Sequence, residues 1–521
     1  MPSLINMLSE QTPESVPEDW FDRFGTGPKV TPRFDTILAG FEHFAATQPD
    51  AIAVEWAGET ITYGALDAAA ARLAYRLNAA GIGHRDAVAL YLRRSIPMVV
   101  GILACMKVGA YYIPQHVGVA TDEALRHIST VTGARVVLTL EELSDRIPLL
   151  DAQRFVILEH QLCAETAPRH SAPSPLQPDD TCMVLFTSGT TGVPNGVQVT
   201  HKNLCNILLT APGDLGMSPG QSVGQILSIA FDMAAWETLG ALSNGATLII
   251  RGHDIQETAQ RVDVLIATPS ILASLDADAC RQVKTVAVAG EPCPRPLADK
   301  WASFCTFYNS CGPTETTIIN TAMQHRPDKP QLTIGAPTPN NTVYILDDDL
   351  RPLPFGARGV MWAGGDCVTA GYLANPALNA ERYKPDPFRP GHMMFNTRDL
   401  GAWTETGELL HFGRVDDLVK IRGFRVELDG VSRALEGAEG CDQAVTLKYD
   451  DRTLVAFVSP GQACPVAARA NVERALPYYC VPRVVLPMDE LPKTPRGKLD
   501  KRLLLNLAAE ALATAPLEAA E

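Results

Sequence analysis

The sequence predicts an α/β protein, and three features of the chain point to that class. Up to about residue 320, short apolar β-like runs alternate with helical stretches, a pattern that requires crossover connections and mainly parallel sheets. From about 331 to 412, proline and glycine become more frequent and short β-like runs dominate, which predicts a small β-rich subdomain. After Arg414 a further unit of about 100 residues begins, with strands of its own.

The elements of the first part follow one another closely. Residues 1 to about 30 are rich in proline and glutamate and predict a lead-in segment. An apolar helix is expected to open at Tyr63, and a second to span 96–108. Strands are predicted at 51–56, 88–92, 136–140, 155–158, 183–186, 247–250, 262–267 and 286–289. Ligands of parallel sheets bind at the carboxyl ends of the strands, so the loops there are where a site is expected.

The later elements are fewer. Strands are predicted at 342–346 and 360–362 in the β-rich region, and at 417–421 and 453–458 in the last unit. The tail from Leu503 is rich in alanine and glutamate, which predicts a helix that frays towards its end.

Composition narrows the class of protein. The chain has 521 residues, of which 46% are apolar and 20% charged, values typical of a globular protein with two to four domains or subdomains. Its 44 basic and 59 acidic residues give a net charge of 44 − 59 = −15. That charge argues against a general surface for nucleic acid or anionic membrane, because both reward positive charge. Small anionic ligands held by local groups remain compatible with it.

Cysteine usage and the N-terminus suggest the setting. Twelve cysteines are scattered without any CxxC or metal-like spacing, so we expect reduced thiols and a cytoplasmic protein. The first twenty residues lack a basic segment followed by an apolar core, so no signal peptide is expected. No uncharged apolar run reaches the roughly 18 residues that a membrane helix needs, so no span is expected.

A loop rich in glycine and hydroxyl side chains follows the strand at 183–186 and runs to Gly196. Its backbone N–H groups and hydroxyls can replace the water around phosphate oxygens, and its glycines let the backbone come close. The alternative is an ordinary surface turn. A Walker loop is excluded, because no Gly-Lys-Ser/Thr follows. The candidate phosphate ligands are Thr187, Ser188, Gly189, Thr190, Thr191 and Gly192.

This loop resembles the phosphate loop of the adenylate-forming (ANL) superfamily, written Thr-Ser-Gly-Thr-Thr-Gly-x-Pro-Lys-Gly. One position departs, since Asn195 stands where the family usually has lysine. The resemblance continues through ordered motifs over about residues 35–505. It is closest to the amino-acid adenylation domains of nonribosomal peptide synthetases, and it implies ATP and Mg²⁺ as cofactors.

Asp232 precedes an apolar stretch that ends in Trp236 and Glu237. One interpretation is a helix N-cap. The other is a carboxylate in a pocket wall, paired with a ligand ammonium, because a buried unpaired charge is costly. In the adenylation domains that this segment resembles, the aspartate holds the substrate α-amino group, whereas aryl-acid and acyl-CoA ligases usually lack it. Asp232 therefore favours an α-amino acid.

Residues 308–317 are similar to the family motif Tyr-Gly-Pro-Thr-Glu-Thr-Thr. The resemblance implies that Glu315 holds Mg²⁺ bridging the ATP phosphates, as one carboxylate suffices for that ion. Thr314 would contact the α-phosphate and Asn309 the adenine amino group. Cys311 replaces a tyrosine that stacks on adenine. The implied nucleotide contacts in this part of the chain are Gly290, Glu291, Asn309, Cys311, Gly312 and Thr314.

Two further motifs are expected to complete the nucleotide site. Residues 396–401 resemble the Thr-Gly-Asp motif, whose aspartate (Asp399 here) grips both ribose hydroxyls; Arg398 stands in place of glycine. Without the resemblance, Asp399 is as simply a turn residue. Residues 413–425 match the domain junction, where Arg414 would reach ribose or phosphate and Asp416 would be the hinge. Their charges alone would equally fit a solvated hairpin.

A basic loop at 491–500 ends the set. By default such a loop is solvated, but here it matches the motif whose lysine enters the active site. Lys498 would bind the substrate carboxylate and the α-phosphate oxygen while negative charge moves between them. The implied catalytic residues are Thr190, Glu315 and Lys498.

The resemblance also implies a substrate pocket. Beyond Asp232 and Lys498 no charge faces the substrate side chain, so an apolar α-amino acid is expected, and Trp236 makes an aromatic one the first choice. The implied pocket residues are Asp232, Met233, Trp236, Ser270, Ala287, Ala289, Ser310, Ile318, Ile319 and Lys498.

The fold expected from all this is α/β. A large N-terminal domain (31–414) would hold two parallel-type α/β subdomains and a small β-rich subdomain, followed by a small mobile α+β lid (415–505) and a tail (506–521). The expected reaction forms an aminoacyl-AMP and passes the acyl group to a phosphopantetheine thiol of a carrier protein. No carrier-type Leu-Gly-Gly-x-Ser segment follows residue 505, so the carrier is expected from another chain or a larger synthetase.

Two alternatives of other classes stay open. One is an acyl- or aryl-CoA ligase, against which Asp232 argues. The other is a nucleotide-binding protein with impaired catalysis, suggested by Asn195 and Cys311.

Overall fold

The computed structural model describes residues 21–117, 120, 122–148, 154–157, 176–187, 194–415, 418–421, 424–450, 452–476, 480–494 and 499–514. The described residues form two compact units. The first lies within Met1–Ala357, Met361–Thr397 and Ala402–Leu410, and the second within Arg358–Val360, Arg398–Gly401 and His411–Glu521.

The strands, in chain order, are β1 Ile52–Trp56, β2 Glu59–Thr62, β3 Ala87–Leu92, β4 Tyr111–His116, β5 Val136–Thr139, β6 Arg154–Ile157, β7 Thr181–Thr187, β8 Asn195–Thr200, β9 Ser222–Gln225, β10 Thr247–Ile250, β11 Val264–Ala267, β12 Thr285–Val288, β13 Thr306–Cys311, β14 Thr321–His325, β15 Ala336–Pro337, β16 Asn341–Leu346, β17 Gly359–Gly365, β18 Tyr383–Pro385, β19 Met393–Trp403, β20 Leu409–Arg414, β21 Leu418–Ile421, β22 Phe424–Glu427, β23 Gln443–Lys448, β24 Leu454–Ser459 and β25 Val484–Pro487. The helices are α1 Ile37–Thr47, α2 Tyr63–Ala79, α3 Ile96–Lys107, α4 Asp122–Thr132, α5 Glu141–Ser144, α6 His201–Leu208, α7 Asp232–Ser243, α8 Ile255–Ala259, α9 Pro269–Ala273, α10 Arg295–Ala302, α11 Pro376–Arg382, α12 Leu428–Glu436, α13 Pro465–Ala475 and α14 Lys501–Thr514.

Two large sheets dominate the first unit, and both are mainly parallel. The nine-stranded sheet has the order β15-β14-β13-β12-β11-β9-β10-β1-β2, with a parallel centre and antiparallel strands β2, β14 and β15 at its edges. The six-stranded sheet has the order β6-β5-β3-β4-β7-β8, and only β8 is antiparallel. Together they confirm the predicted α/β class.

The β-rich region forms a third sheet. Its strands run β16-β17-β19-β18, with β20 paired to β19. In the second unit, β21 and β22 form a hairpin, and β23-β24-β25 form a three-stranded sheet on which α12 and α13 pack.

Helix α3 shows why the local sequence folds as it does. The hydroxyl of Ser95 caps the helix by accepting the Met98 N–H at 3.3 Å, and Pro97 occupies the first turn, where its missing N–H costs nothing. Gly109, with φ of 80°, ends the turn that follows. Residues Ile96 to Met106 are all buried, because the helix is apolar on every side.

Helix α7 positions the candidate site. Every residue from Met233 to Ser243 is buried, and the helix packs on β9, β10 and β11. Glu237 anchors it from inside, since its carboxylate accepts the backbone N–H groups of Ile226 (2.9 Å) and Leu227 (3.2 Å). Burial raises the pKa of Glu237 to about 8, even though these donors oppose the shift.

The predicted strands all occur, with ends within three residues of those expected. These predictions cover twelve of the 25 strands that the structure describes, and the other thirteen, among them β4, β8 and β13, were missed. Strand β4 contains Pro114 and ends in two polar residues, and β13 mixes Thr306, Asn309 and Ser310 with apolar residues, so neither has the apolar pattern of a buried strand. Among the cysteines that the structure describes, none is in a disulfide. Within the described ranges, no helix has the length and apolar character needed to cross a bilayer.

Candidate active site

Asp232 is the first residue of α7 and carries a partly buried carboxylate. Its Oδ1 accepts the N–H of Met233 at 2.7 Å, and its Oδ2 accepts the hydroxyl of Thr314 at 2.8 Å. The N-cap position belongs to Phe231, whose side chain makes no capping bond, so the N-cap interpretation of Asp232 is wrong. The Asp232–Thr314 bond instead joins two residues that the sequence assigned to substrate and to nucleotide.

The surroundings of Asp232 disfavour the ionised form of its carboxylate. Burial raises its pKa to about 6, and the nearby Glu315 pushes it in the same direction. The bonds from Thr314 and Met233 oppose this shift without cancelling it. A positively charged ligand group at this position would favour the ionised carboxylate.

One face of the nine-stranded sheet carries three of the predicted pocket residues. Ala287 on β12 pairs with Tyr308 on β13, so Ala289 and Ser310, each two residues further on, lie on the same face. All three are buried. The hydroxyl of Ser310 is buried and has no hydrogen-bond partner among the described residues.

Met233 and Trp236 are both buried, but only Met233 can be placed against another predicted residue. A Cβ added to Gly290 would lie 3.8 Å from the Met233 sulfur, so the Gly290 turn passes beside that side chain. Trp236 has no exposed surface, and its indole Nε1 donates to the Gly213 carbonyl at 2.6 Å. That bond fixes the orientation of the indole ring.

Ser270 and Glu291, predicted for different ligands, are in direct contact. Glu291 Oε2 accepts the N–H of Ser270 at 2.9 Å and its hydroxyl at 2.5 Å. The turn after β12 is thereby tied to the start of α9.

The segment that carries Thr314 and Glu315 is a single 3₁₀ turn with strained backbone behind it. Thr317 and Ile318 follow with φ of 54° and 69°, a left-handed conformation that β-branched residues rarely adopt. Gly312 permits the chain to fold back here, because a Cβ at position 312 would lie only 2.6 Å from the Ile319 Cα. Ile318 and Ile319 are buried as a result of this fold-back.

The predicted adenine contacts lie at the end of β13. The Asn309 side-chain N–H donates to the Thr333 carbonyl at 2.7 Å, which orients the amide so that its oxygen is available for a donor such as an adenine amino group. Cys311 is the last residue of the strand and is half-buried.

Glu315 has a partner that the sequence did not suggest. The Tyr372 hydroxyl donates to Glu315 Oε1 at 2.5 Å, and the Glu315 carbonyl accepts the Thr369 N–H at 3.1 Å. Tyr372 was missed because a lone aromatic residue after a glycine resembles any core residue, and Thr333 was missed because it acts through its backbone carbonyl.

In the second unit, Asp399 lies near His411, whose Nε2 is 3.5 Å from Asp399 Oδ1. His411 Nδ1 accepts the Gly413 N–H at 3.2 Å, so the ring proton is on Nε2 and faces the carboxylate. Arg398 has φ of 59°. Arg414 ends β20.

Of the remaining predicted residues, Thr187 is described: it ends β7 and pairs with Asn195, the first residue of β8. Ser188, Gly189, Thr190, Thr191, Gly192, Asp416 and Lys498 lie outside the described residues.

Comparison with known proteins supplies the family. Residues 41–373 match the sequence model of the family described as AMP-binding enzyme. Adenylate-forming reductase 03009 of Coprinopsis cinerea is 44% identical over 496 residues, which are 94% of this chain and 48% of that protein. Tyrocidine synthase 2 of Brevibacillus parabrevis is 31% identical over 485 residues, 90% of this chain and 13% of its own length. The chain thus spans less than half of the length of each of these two relatives.

Solved structures agree on the fold. Klebsiella oxytoca NpsA in complex with 3-hydroxyanthranilyl-AMSN superposes with a TM-score of 0.82 at 23% identity, covering 92% of this chain and all of NpsA. A four-domain nonribosomal peptide synthetase bound to AMP and glycine gives 0.80 at 26% identity, covering 97% of this chain and 38% of that one.

Proposed function

The chain belongs to the AMP-binding enzymes of the adenylate-forming superfamily, and from that premise we propose that it activates an apolar, aromatic α-amino acid as its aminoacyl-AMP. The acyl group then passes to the phosphopantetheine thiol of a carrier protein. In this proposal residues 31–414 bind the substrates, and 415–505 form a lid that turns at Asp416 and brings Lys498 to the reacting groups.

The observation that carries the proposal is the state of Asp232. Its carboxylate is partly buried, its pKa is raised to about 6, and the charged neighbour that raises it further is another acid, Glu315. Taking such a carboxylate out of water is costly unless a cation compensates. The α-ammonium group of an amino acid is the cation that a carboxylate-activating enzyme would bring there.

The proposed chemistry has two balanced steps. A substrate carboxylate oxygen attacks the α-phosphorus of ATP, the bond to the β-phosphate oxygen breaks, and pyrophosphate leaves. The carrier thiolate then attacks the acyl carbon, and AMP leaves as the thioester forms. The chain's contribution to the first step is to hold the carboxylate in line with the phosphorus, with Asp232 fixing the ammonium end.

Glu315 suits a magnesium ion bound mainly by nucleotide oxygens. It is a hard oxygen donor, and one of its oxygens is already oriented by Tyr372. Among the described residues, no group of three histidine, cysteine, aspartate or glutamate side chains is placed to hold a metal ion. In this proposal Glu315 is a protein ligand, and other ligand positions are left to nucleotide oxygens. When bound, Mg²⁺ supplies neutralisation of the phosphate charge.

Two further candidates need to be separated from this one. The relatives named adenylate-forming reductases are 44% identical over 94% of the chain, which favours a candidate in which this chain is the adenylate-forming part of a longer protein with a reductive activity. Its acid then need not be an amino acid. A CoA ligase is the other, and it would use CoA in place of a carrier.

ATP–pyrophosphate exchange with a panel of carboxylic acids tests the proposal. The panel holds the standard amino acids together with aryl acids and keto acids, and a second assay offers CoA as acceptor. Exchange driven by an aromatic amino acid supports the proposal. Exchange driven only by aryl or keto acids would reject the role of Asp232, and thioester formation on free CoA would favour the ligase.

A further inference from the structure

Tyr372 contacts the carboxylate that is proposed to hold magnesium. Its hydroxyl donates to Glu315 Oε1 at 2.5 Å, and only 3% of the residue is exposed. Tyr372 is thus a buried donor to Glu315. A hydrogen bond from a buried phenol to a carboxylate is of the strong, charge-assisted kind.

The backbone of Tyr372 is fixed independently of Glu315. Its N–H donates to the side-chain oxygen of Asn379 at 2.7 Å, and its carbonyl accepts the side-chain N–H of the same residue at 2.8 Å. Asn379 lies in α11, so the backbone of Tyr372 is held by a helix. A partner held in this way restricts the carboxylate to one orientation.

The same segment pairs with β8, the strand that follows the glycine- and hydroxyl-rich loop. Gln198 exchanges two backbone hydrogen bonds with it, to Gly371 and from Ala370, each 3.0 Å long. The Leu373 N–H donates to the Gly196 carbonyl at 2.7 Å. The N–H of Thr369 also donates to the Glu315 carbonyl, so one short segment holds both the carboxylate residue and the strand.

We propose that Tyr372 is a positioning residue that fixes the Glu315 carboxylate for Mg²⁺ and couples it to strand β8. The inference rests on the proposed function, in which Glu315 is the magnesium ligand. Tyr372 donates to one carboxylate oxygen, which limits the orientations of the carboxylate and would leave its other lone pairs for the ion. Removal of a residue that hydrogen-bonds to a metal ligand typically lowers the metal affinity about 10–100-fold.

The test compares Tyr372→Phe with Tyr383→Phe in the full chain. Tyr383 is a matched control, because it is a buried tyrosine whose ring meets that of Tyr372 edge-on at 5.8 Å, while its hydroxyl bonds to Thr369 Oγ1 at 2.8 Å and not to Glu315. Calorimetry measures binding of a non-hydrolysable ATP analogue at a series of Mg²⁺ concentrations. The same titration without Mg²⁺ and a thermal melt report on general damage.

We expect Tyr372→Phe to raise the half-saturating Mg²⁺ concentration about 10–100-fold and to leave metal-free analogue binding unchanged. Tyr383→Phe should match the wild type in both titrations. An unchanged Mg²⁺ dependence in Tyr372→Phe would overturn the inference. Equal weakening with and without Mg²⁺, matched by Tyr383→Phe, would also overturn it, because that is what a purely structural role produces.

Because this readout is binding, it separates the inference from the proposed function. If wild-type protein binds the analogue in a Mg²⁺-dependent manner but no acid drives exchange, the proposed function fails and the inference is still decided by the variants. If Mg²⁺ has no effect on wild-type binding, the inference is wrong.

Discussion

Replacing Asp232 with asparagine should remove the preference for an amino group without removing catalysis. The change keeps size and shape but cannot carry the charge that pairs with an ammonium. Wild-type protein should therefore strongly prefer phenylalanine to 3-phenylpropionate, which differs only in lacking the amino group. In Asp232→Asn that preference should shrink sharply.

The size of the change follows from the state of the carboxylate. Burial raises the pKa of Asp232 from 3.8 to about 6. This shift corresponds to a free-energy penalty of ~3 kcal/mol on the charged form of the carboxylate. An ammonium that compensates this penalty contributes about the same amount. Because 1.4 kcal/mol is a factor of ten, we expect the ratio of kcat/KM for the two acids to fall ~100-fold in the variant.

The assay is exchange kinetics with each acid over pH 5 to 8. The ammonium binds the ionised carboxylate, so kcat/KM of the wild type for phenylalanine should fall as the pH drops below about 6. The kcat/KM of the wild type for 3-phenylpropionate should not show this fall. In Asp232→Asn the fall should be absent for both acids.

Asp254→Asn is the charge-matched control. Asp254 is an exposed N-cap of α8 whose carboxylate accepts the Gln256 N–H at 2.8 Å, and asparagine caps a helix equally well. This variant should match the wild type at every pH. An unchanged preference for the amino acid in Asp232→Asn would refute the ammonium role, as would a wild type that uses both acids equally.

Three other predictions concern the pocket, the adenine site and the backbone. Ser310→Ala removes a buried hydroxyl that has no partner in the described structure. The kcat/KM for amino acids with an unsubstituted apolar ring should therefore rise about 3–10-fold relative to that for amino acids whose ring bears a hydrogen-bonding group. Pyrophosphate exchange with pairs of acids that differ only in that group measures this ratio. Asn309→Leu removes the amide that Thr333 orients, so the preference for ATP over GTP in analogue binding should drop about tenfold, with no drop counting against the adenine contact. Arg398→Gly should be more stable than Arg398→Ala by ~0.5–1 kcal/mol in denaturant unfolding, because at φ of 59° alanine retains the strain that glycine relieves; the opposite order would refute the argument.

Periodicity predicted the α/β class and twelve of the 25 described strands, because those strands are short, mostly apolar runs. It failed where polar residues break the apolar pattern, as in β13, whose Asn309 and Ser310 belong to the candidate site. A strand that places polar side chains at a ligand cannot keep the pattern of a core strand. The strand pattern therefore failed to predict β13 at a position where site residues were expected.

The candidate site was predictable only as far as motifs reach. The Asp232–Thr314 and Ser270–Glu291 pairs join residues that the motifs had singled out one by one, and the fold supplied the contacts. Tyr372 belongs to no quoted motif, and its function depends on a hydroxyl that meets Glu315 across 57 positions of sequence. Contacts of that range follow from topology, which local patterns do not determine.

Asn195 shows how a departure from the family pattern can have a structural explanation. Its side-chain oxygen accepts the amide N–H of Asn375 at 3.0 Å, and the oxygen of Asn375 in turn accepts the Leu378 N–H and caps α11. Helix α11 carries Asn379, which holds the backbone of Tyr372, and Tyr372 orients Glu315. An asparagine in place of lysine thus joins the start of β8 to the network that positions the acid. This neutral link gives Asn195 a structural role but does not replace the lysine charge, so the alternative of impaired nucleotide chemistry stays open.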